Sequence, residues 1–293
     1  MDKITIRAMA KINLGLDVLG RRDNGYHEVK MIMQTIDLYD TLIFEKKREE
    51  GIVIEANHPM VPCDESNLVY QAASLLMKKH KIDSGLKITL EKRIPVAAGM
   101  AGGSTDAAAA LVGVNRLFDL QISTEELKEI GVTIGADVPY CIDGGTALSE
   151  GIGEILSPLP TPAPCYVVIA KPDLSVSTAY VYGNLNLKEI VHPDIEGMIE
   201  AIKNQNLQQM CAKMGNVLET VTEKKHPVIT ELKKLMKENG AVNSMMSGSG
   251  PTVFGIFDSL QRAKNAAQEA EKTGFCEQIA VTVFAPKAQV VEE

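Results

Sequence analysis

The chain carries little that would suit a polyanion or a membrane. Lys and Arg number 30 against 38 Asp and Glu, a net charge of −8. Nonspecific binding to nucleic acid or an anionic bilayer needs clustered positive charge instead. No apolar run reaches the roughly 18 residues of a membrane-spanning helix, and Met1-Asp2-Lys3-Ile4 lacks the layout of a signal peptide. Cysteine is sparse: Cys63, Cys141, Cys165, Cys211 and Cys276 are odd in number, widely spaced and without a Cys-x-x-Cys pair. That pattern argues against a disulfide framework or a zinc site and fits reduced thiols. There is no internal repeat, and no low-complexity tail beyond the last few residues. The expectation is a soluble, cytoplasmic protein with small-molecule partners, no nucleic acid and no membrane; monomer and homodimer both stay open.

At 293 residues, 45% apolar and 23% charged, the chain has ordinary globular composition and is long enough for one large or two medium domains. Over 4–18 every even position is apolar, from Ile4 to Val18, while Lys3, Arg7, Lys11, Asn13 and Asp17 take odd ones. This is strand periodicity, over more than one strand or a bent one, given its length. A turn follows at 21–25, strand at 31–44 and helix at 67–80. Leu86, Ile88 and Leu90 alternate as a further strand, and helix is expected over 124–135. Pro158, Pro160, Pro162 and Pro164 form the best boundary candidate, dividing the chain into 1–162 and 163–293. Beyond it come a strand at 166–170 and helices at 194–204 and 228–239, the second closed by Gly240. Strands at 244–246 and 252–257, a helix ending at Gly274 and a strand at 279–284 complete the pattern. Helices and strands intermixed in both halves predict an α+β, two-domain protein.

The stretch from Pro95 to Asp106 is the most informative. It leads from a strand into an alanine-rich helix through Gly99, Gly102 and Gly103. Glycine lets the backbone take positive φ and approach a ligand. A helix start offers unpaired N–H groups and a positive dipole end, which together suit a polyphosphate. Ser104, Thr105 or Asp106 can cap that helix. Read alone, the stretch is also consistent with a plain glycine-rich turn. It is neither a Gly-x-x-x-x-Gly-Lys loop, because Gly103 stands where the lysine is needed, nor a Gly-x-Gly-x-x-Gly fingerprint.

Three more clusters can carry chemistry, and each has a bland alternative. Lys11 and Asn13, two apart, share one face of a strand; alone, they read as a solvated face. Asp137, in Gly135-Ala136-Asp137-Val138-Pro139, reads as a turn-stabilising carboxylate. Gly248-Ser249-Gly250-Pro251-Thr252 reads as a tight hairpin.

Taken together and in order, these segments resemble the three motifs of the galactokinase, homoserine kinase, mevalonate kinase and phosphomevalonate kinase (GHMP) superfamily. Met100 and Ala101 stand where that family has Leu and Gly. The resemblance implies an N-terminal domain like ribosomal protein S5 domain 2 and a ferredoxin-like C-terminal domain. It implies Lys11 and Asp137 as catalytic residues. It also implies that Pro95, Val96, Ala97, Ala98, Gly99, Met100, Ala101, Gly102, Gly103, Ser104 and Thr105 wrap the ATP phosphates, with Asn67 and Leu68 on the adenine side. Mg2+ is expected with ATP to neutralise phosphate charge, but its protein ligands are not readable; Ser104 is the hydroxyl singled out. Gly25-Tyr26-His27-Glu28 resembles the cytosine-holding signature of the branch that phosphorylates the 2-hydroxyl of a cytidine diphosphate-linked methylerythritol. That step belongs to the methylerythritol phosphate route to isoprenoids. An aromatic ring can stack on the base while an imidazole bonds its edge. The resemblance adds Asn13, Thr178, Tyr182, Gly248 and Ser249 to the substrate side. Relatives acting on homoserine, mevalonate or a sugar need no cytosine cradle, and a nucleotide-binding protein without catalysis needs neither Lys11 nor Asp137.

Overall fold

The opening alternation becomes one strand, β1 (Lys3–Arg21), of 19 residues, far beyond the usual length of about five or six. The computed structural model describes residues 2–23, 25–285 and, by backbone alone, 289–291; Asn24, inside the expected 21–25 turn, lies outside them. Strand β1 pairs with β2 (His27–Lys47) through three register shifts, between Met9 and Lys11, Asn13 and Gly15, and Val18 and Gly20. The first sets Ala10 of β1 against residues 36–38 of β2, and each of the other two adds one residue to β1, so the ladder bends. Along the bent strand Ile4, Ile6 and Ala8 belong to one core, Ala10, Ile12 and Leu14 to a second, and Leu16 and Val18 again to the first. Lys11 and Asn13 alternate with the residues of the second core. Both are buried, at 6% and 0% exposure, so the solvated-face alternative is ruled out.

The same sheet takes in β3 (Ile52–Ala56) and β4 (Gly85–Glu91), in the order β2-β4-β3. Helices α1 (Leu68–Lys79) and α2 (Gly102–Leu117) pack together over it, and α3 (Thr124–Val132) and α4 (Val138–Asp143) close its end. Strand β5 (Thr146–Glu150) pairs with β2, and β6 (Ile155–Leu159) with β5. Pro158 thus lies inside a strand rather than in a linker. An outermost strand tolerates it because that edge needs no N–H.

The second sheet begins with β7 (Tyr166–Pro172). Four helices follow: α5 (Thr178–Gly183), α6 (Ile195–Lys203), α7 (Leu207–Ala212) and, after the two-residue strand β8 (Gly215–Asn216), α8 (Glu219–Lys225). Next come α9 (Val228–Glu238), the hairpin β9 (Asn243–Met246) and β10 (Val253–Phe257), α10 (Leu260–Lys272) and β11 (Cys276–Val283). The sheet order is β11-β7-β10-β9, all antiparallel. With helices between the first and second strands and between the third and fourth, this is the expected ferredoxin-like arrangement. The chain then returns as β12 (Gln289–Val291) to pair with β1, and β8 pairs with β1 in parallel. The two-sheet α+β architecture stands. The short helices α4, α5, α7 and α8 were not legible because six or seven residues hold too few turns to show a period.

Candidate active site

A cavity of about 920 Å3 takes its walls from both halves of the chain. Its floor is the segment between β4 and α2. Three residues there are left-handed: Ala97 at φ 52°, Gly99 at 73° and Ala101 at 57°. An alanine in that region costs roughly 1–2 kcal/mol, so its neighbours must hold it there. Ala101, where the resemblance has glycine, is the N-cap of α2 and offers no side-chain cap. Ser104, Thr105 and Asp106, expected as caps, lie inside the helix instead, whose first bond runs from Thr105 N–H to the Ala101 carbonyl at 2.8 Å. The N–H groups of Gly102, Gly103 and Ser104 are left without helical acceptors, at the positive end of the dipole and on the cavity wall.

Both ends of this loop are fastened by one lysine. Lys92 Nζ donates to Asp106 Oδ2 at 2.7 Å and also to Asp40 Oδ2. Asp40 Oδ1 accepts the N–H groups of Arg93 at 2.6 Å and Ile94 at 2.9 Å. All three side chains are nearly inaccessible to water, and Asp106 Oδ1 is buried without a protein partner. Burial works against the Lys92 ammonium, but the two carboxylates outweigh it and raise its pKa. Burial, with the charge of Asp40, pushes Asp106 well above the ordinary carboxylate range against the pull of Lys92.

The second half of the chain grips the loop at Gly99. Its carbonyl accepts Ser247 Oγ at 2.9 Å and Lys11 Nζ at 3.4 Å. A Cβ on Gly99 would lie 2.3 Å from the Ser247 carbonyl oxygen and 3.0 Å from that of Gly250. Both belong to the turn between β9 and β10, where the Gly250–Pro251 peptide is cis. Gly99→Ala therefore forces two backbones apart besides placing a side chain at positive φ. We expect it to cost roughly 1–3 kcal/mol and to weaken ATP binding. Thermal denaturation with and without ATP checks this; an unchanged Tm and an unchanged ATP-induced shift would refute it.

Lys11 occupies the stretch of β1 between two register shifts of the β1–β2 ladder. Its Nζ donates to Asn13 Oδ1 at 2.7 Å and lies 3.9 Å from Asp137 Oδ2. Asp137 stands immediately before α4, which is anchored by Tyr140. That phenol donates to the Gly145 carbonyl at 2.7 Å and meets Thr35 Oγ1 at 3.0 Å. Thr35 is the residue opposite Lys11 in the β1–β2 ladder, so one buried contact brings the carboxylate to the lysine. A buried ammonium beside a partly exposed carboxylate offers a proton acceptor and a positive charge at one point.

At another part of the wall the rings of His27 and Tyr182 stand 5.0 Å apart, tilted by 42°. Burial, reinforced by Arg21, lowers the His27 pKa, which favours the neutral imidazole. Burial also pushes the Tyr182 phenol up, and the charge of Asp137 adds to it. Thr178 Oγ1 and Ser249 Oγ, one from each side of the second half, meet at 2.8 Å. Tyr26 is 57% exposed at the rim.

The structure brings to this one cavity Lys11, Asn13, Tyr26, His27, Asn67, Leu68, the run from Pro95 to Ser104, Asp137, Thr178, Tyr182, Gly248 and Ser249. Thr105 is the exception: it is 2% exposed and faces a smaller cavity behind α2, because the second turn of the helix points it inward. Asn67 spends its amide on the chain, with Oδ1 accepting Val69 N–H at 2.8 Å and Nδ2 donating to the Pro62 carbonyl at 2.6 Å. Sequence reasoning missed Lys92 and Asp40 entirely and saw Asp106 only as a cap. Nothing in a single sequence links three charges so far apart. All five cysteines are unpaired thiols; burial pushes Cys276 up to about 11 and Cys211 up to about 12. Among the described residues, no three His, Cys, Asp or Glu side chains converge as a metal site, and no helix is long and apolar enough to cross a membrane.

The fold and site define a small-molecule kinase, and the comparisons agree. Residues 67–145 match the N-terminal domain of the GHMP kinases and 198–275 the C-terminal one. The chain belongs to the GHMP kinases, within the family of the 4-diphosphocytidyl-2-C-methyl-D-erythritol kinases. It is 53% identical to the protein of that name from Lachnospira eligens, over 98% of this chain and 100% of the relative. It is 52% identical to that from Lachnoclostridium phytofermentans, over 97% and 98%. A crystal structure of 4-(cytidine 5'-diphospho)-2C-methyl-D-erythritol kinase superposes with a TM-score of 0.83 at 31% identity, covering 96% of this chain and 99% of that one. The homoserine kinase of Cytophaga hutchinsonii, at 20% identity and TM-score 0.79 over 99% and 98%, shares the fold.

Proposed function

We propose that this protein transfers the γ-phosphoryl group of ATP to the 2-hydroxyl of 4-diphosphocytidyl-2-C-methyl-D-erythritol, the kinase step of the methylerythritol phosphate route. The observation that carries this reading is the His27–Tyr182 pair, in the same cavity as the glycine loop, Lys11 and Asp137. The names of the relatives point to the same acceptor.

In this reading the open N–H groups of Gly102, Gly103 and Ser104 hold phosphate oxygens. The Tyr182 ring stacks on the cytosine while neutral His27 bonds its edge, which sets the acceptor hydroxyl beside Asp137. The Asp137 carboxylate takes the hydroxyl proton as the oxygen bonds to phosphorus and ADP departs. Lys11, steadied by Asn13 and the Gly99 carbonyl, keeps positive charge at the transferring group. The Ser104 hydroxyl and the Asp106 oxygen that lacks a protein partner, both on the cavity wall, would hold a Mg2+ ion, which would supply charge neutralisation at the phosphates.

An ADP-release assay with this acceptor, homoserine, mevalonate and galactose tests the reading. Release with the cytidyl acceptor alone supports it; release with another alone overturns the substrate. Tyr182→Ala removes one wall of the base site, and we expect KM for the cytidyl acceptor to rise by about 10–100-fold, the worth of roughly 1–3 kcal/mol of base stacking. ATP affinity should hold. Equal losses for both substrates would show that Tyr182 is not on the acceptor side.

A further inference from the structure

Asn216 has no part in the reading above and does not line the cavity, yet it governs a turn that does. It is 6% exposed and sits in β8, paired in parallel with Leu16 of β1. Its whole amide is engaged. Nδ2 donates to the carbonyls of Met246 at 2.9 Å and Gly248 at 2.8 Å, and Oδ1 accepts Leu218 N–H at 3.0 Å. Two neighbours hold the same turn: Glu219 Oε1 accepts Met246 N–H at 2.7 Å, and Thr222 Oγ1 donates to the Ser249 carbonyl at 3.2 Å. Three side chains from one short segment thus fix backbone groups of Met246, Gly248 and Ser249.

A trans peptide points its C=O and N–H in opposite directions. With the Gly248 carbonyl turned to Asn216, the N–H of Ser249 is directed away from it, and both residues line the cavity. Gly248 has φ 57°, and left-handed residues of this kind let backbone N–H groups form anion-binding concavities. The turn also lies against the nucleotide loop: a Cβ on Gly248 would sit 3.1 Å from the Gly99 carbonyl and 3.6 Å from Asn13 Oδ1.

We propose that Asn216 is a positioning residue: its two donor bonds set the Gly248–Ser249 peptide so that the Ser249 N–H meets a phosphate oxygen of a bound substrate. This rests on the kinase reading of the cavity. Through β8 it also keeps the turn in step with the strand that carries Lys11.

Two variants separate this role from a merely structural one. Asn216→Ala removes all three bonds. Asn216→Asp keeps the acceptor for Leu218 but loses both donors and sets a carboxylate against two carbonyl oxygens. We expect both to lower kcat by about 10–100-fold, in line with the cost of a 1 Å misplacement. Asp should be no better than Ala, and ATP affinity should stay within about threefold. If Asn216 serves only to cap Leu218, Asp restores what Ala loses; an Asn216→Asp enzyme with kcat within about threefold of the parent overturns the proposal. Should either variant fail to fold, replacing serine 249 by its α-hydroxy acid exchanges the N–H for an ester oxygen and tests the donor directly. An unchanged kcat there also overturns the proposal. The parent assay keeps the two readings apart. A parent silent with the cytidyl acceptor sinks the proposed function, whereas an active parent with indifferent variants sinks only the role of Asn216.

Discussion

Asp137→Asn is expected to lower kcat by about 10²–10⁴-fold, the usual contribution of a positioned general base, while ATP binding changes little. The substitution keeps size and shape, so the anchor of α4 through Tyr140 and Thr35 survives. What it removes is a proton acceptor beside the hydroxyl and the charge that faces Lys11 Nζ at 3.9 Å. A loose phosphoryl-transfer transition state asks less of a base than acyl transfer does, which favours the lower part of that range. Lys11 then stands next to a neutral amide, and its bonds to Asn13 and Gly99 keep it in place. Steady-state turnover together with a separate ATP titration is the check. Turnover within about threefold of the parent, with the protein folded, would remove Asp137 from the chemistry.

Lys92→Met should have the largest effect on stability. It leaves the carboxyls of Asp40 and Asp106 buried together without their cation, and breaking a buried ion pair from one side typically costs about 3–5 kcal/mol. For a chain of this size that is a fall in Tm on the order of 10 °C. The loss should also depend on pH. In the parent, burial and the charge of Asp40 already push the Asp106 pKa well above the ordinary carboxylate range, with Lys92 opposing them. Taking Lys92 away raises that pKa further. The native variant then binds more protons than its unfolded chain over a wider interval, and stability falls with rising pH wherever the native state holds the extra proton. The Tm gap between variant and parent should be smallest near about pH 5 and widen toward about pH 8, since unfolded carboxylates titrate near 4. A gap that stays constant across that interval would show that the carboxyl pair does not share the charge in this way.

The alternation in β1 was legible, but its consequence was not. A strict period of two leaves Lys11 on a face that reads as solvated, and only the approach of the glycine-rich loop, whose Gly99 carbonyl accepts Lys11 Nζ, buries it. The helix behind the glycine loop was legible from its alanines, whereas its start was misjudged. Gly102 and Gly103 can begin a helix from a left-handed alanine, and no propensity scale favours that. Tyr26 and His27 announced themselves through their neighbours. Tyr182 lies in a six-residue helix without a period, and its ring meets His27 only because the second half folds over the first.

By itself, the sequence determined the order of the longer elements, the backbone freedom of the glycine-rich loop and the types of residue that could move a proton. These depend on local spacing, backbone freedom and side-chain chemistry, which the chain carries in one dimension. Tertiary structure decided that Lys11 is buried against the glycine loop, that one lysine fastens both ends of that loop, and that the β9–β10 turn closes on Gly99. Each of those is a meeting of distant segments, set by strand register and by the need to pair every buried charge and carbonyl, and no single segment encodes it.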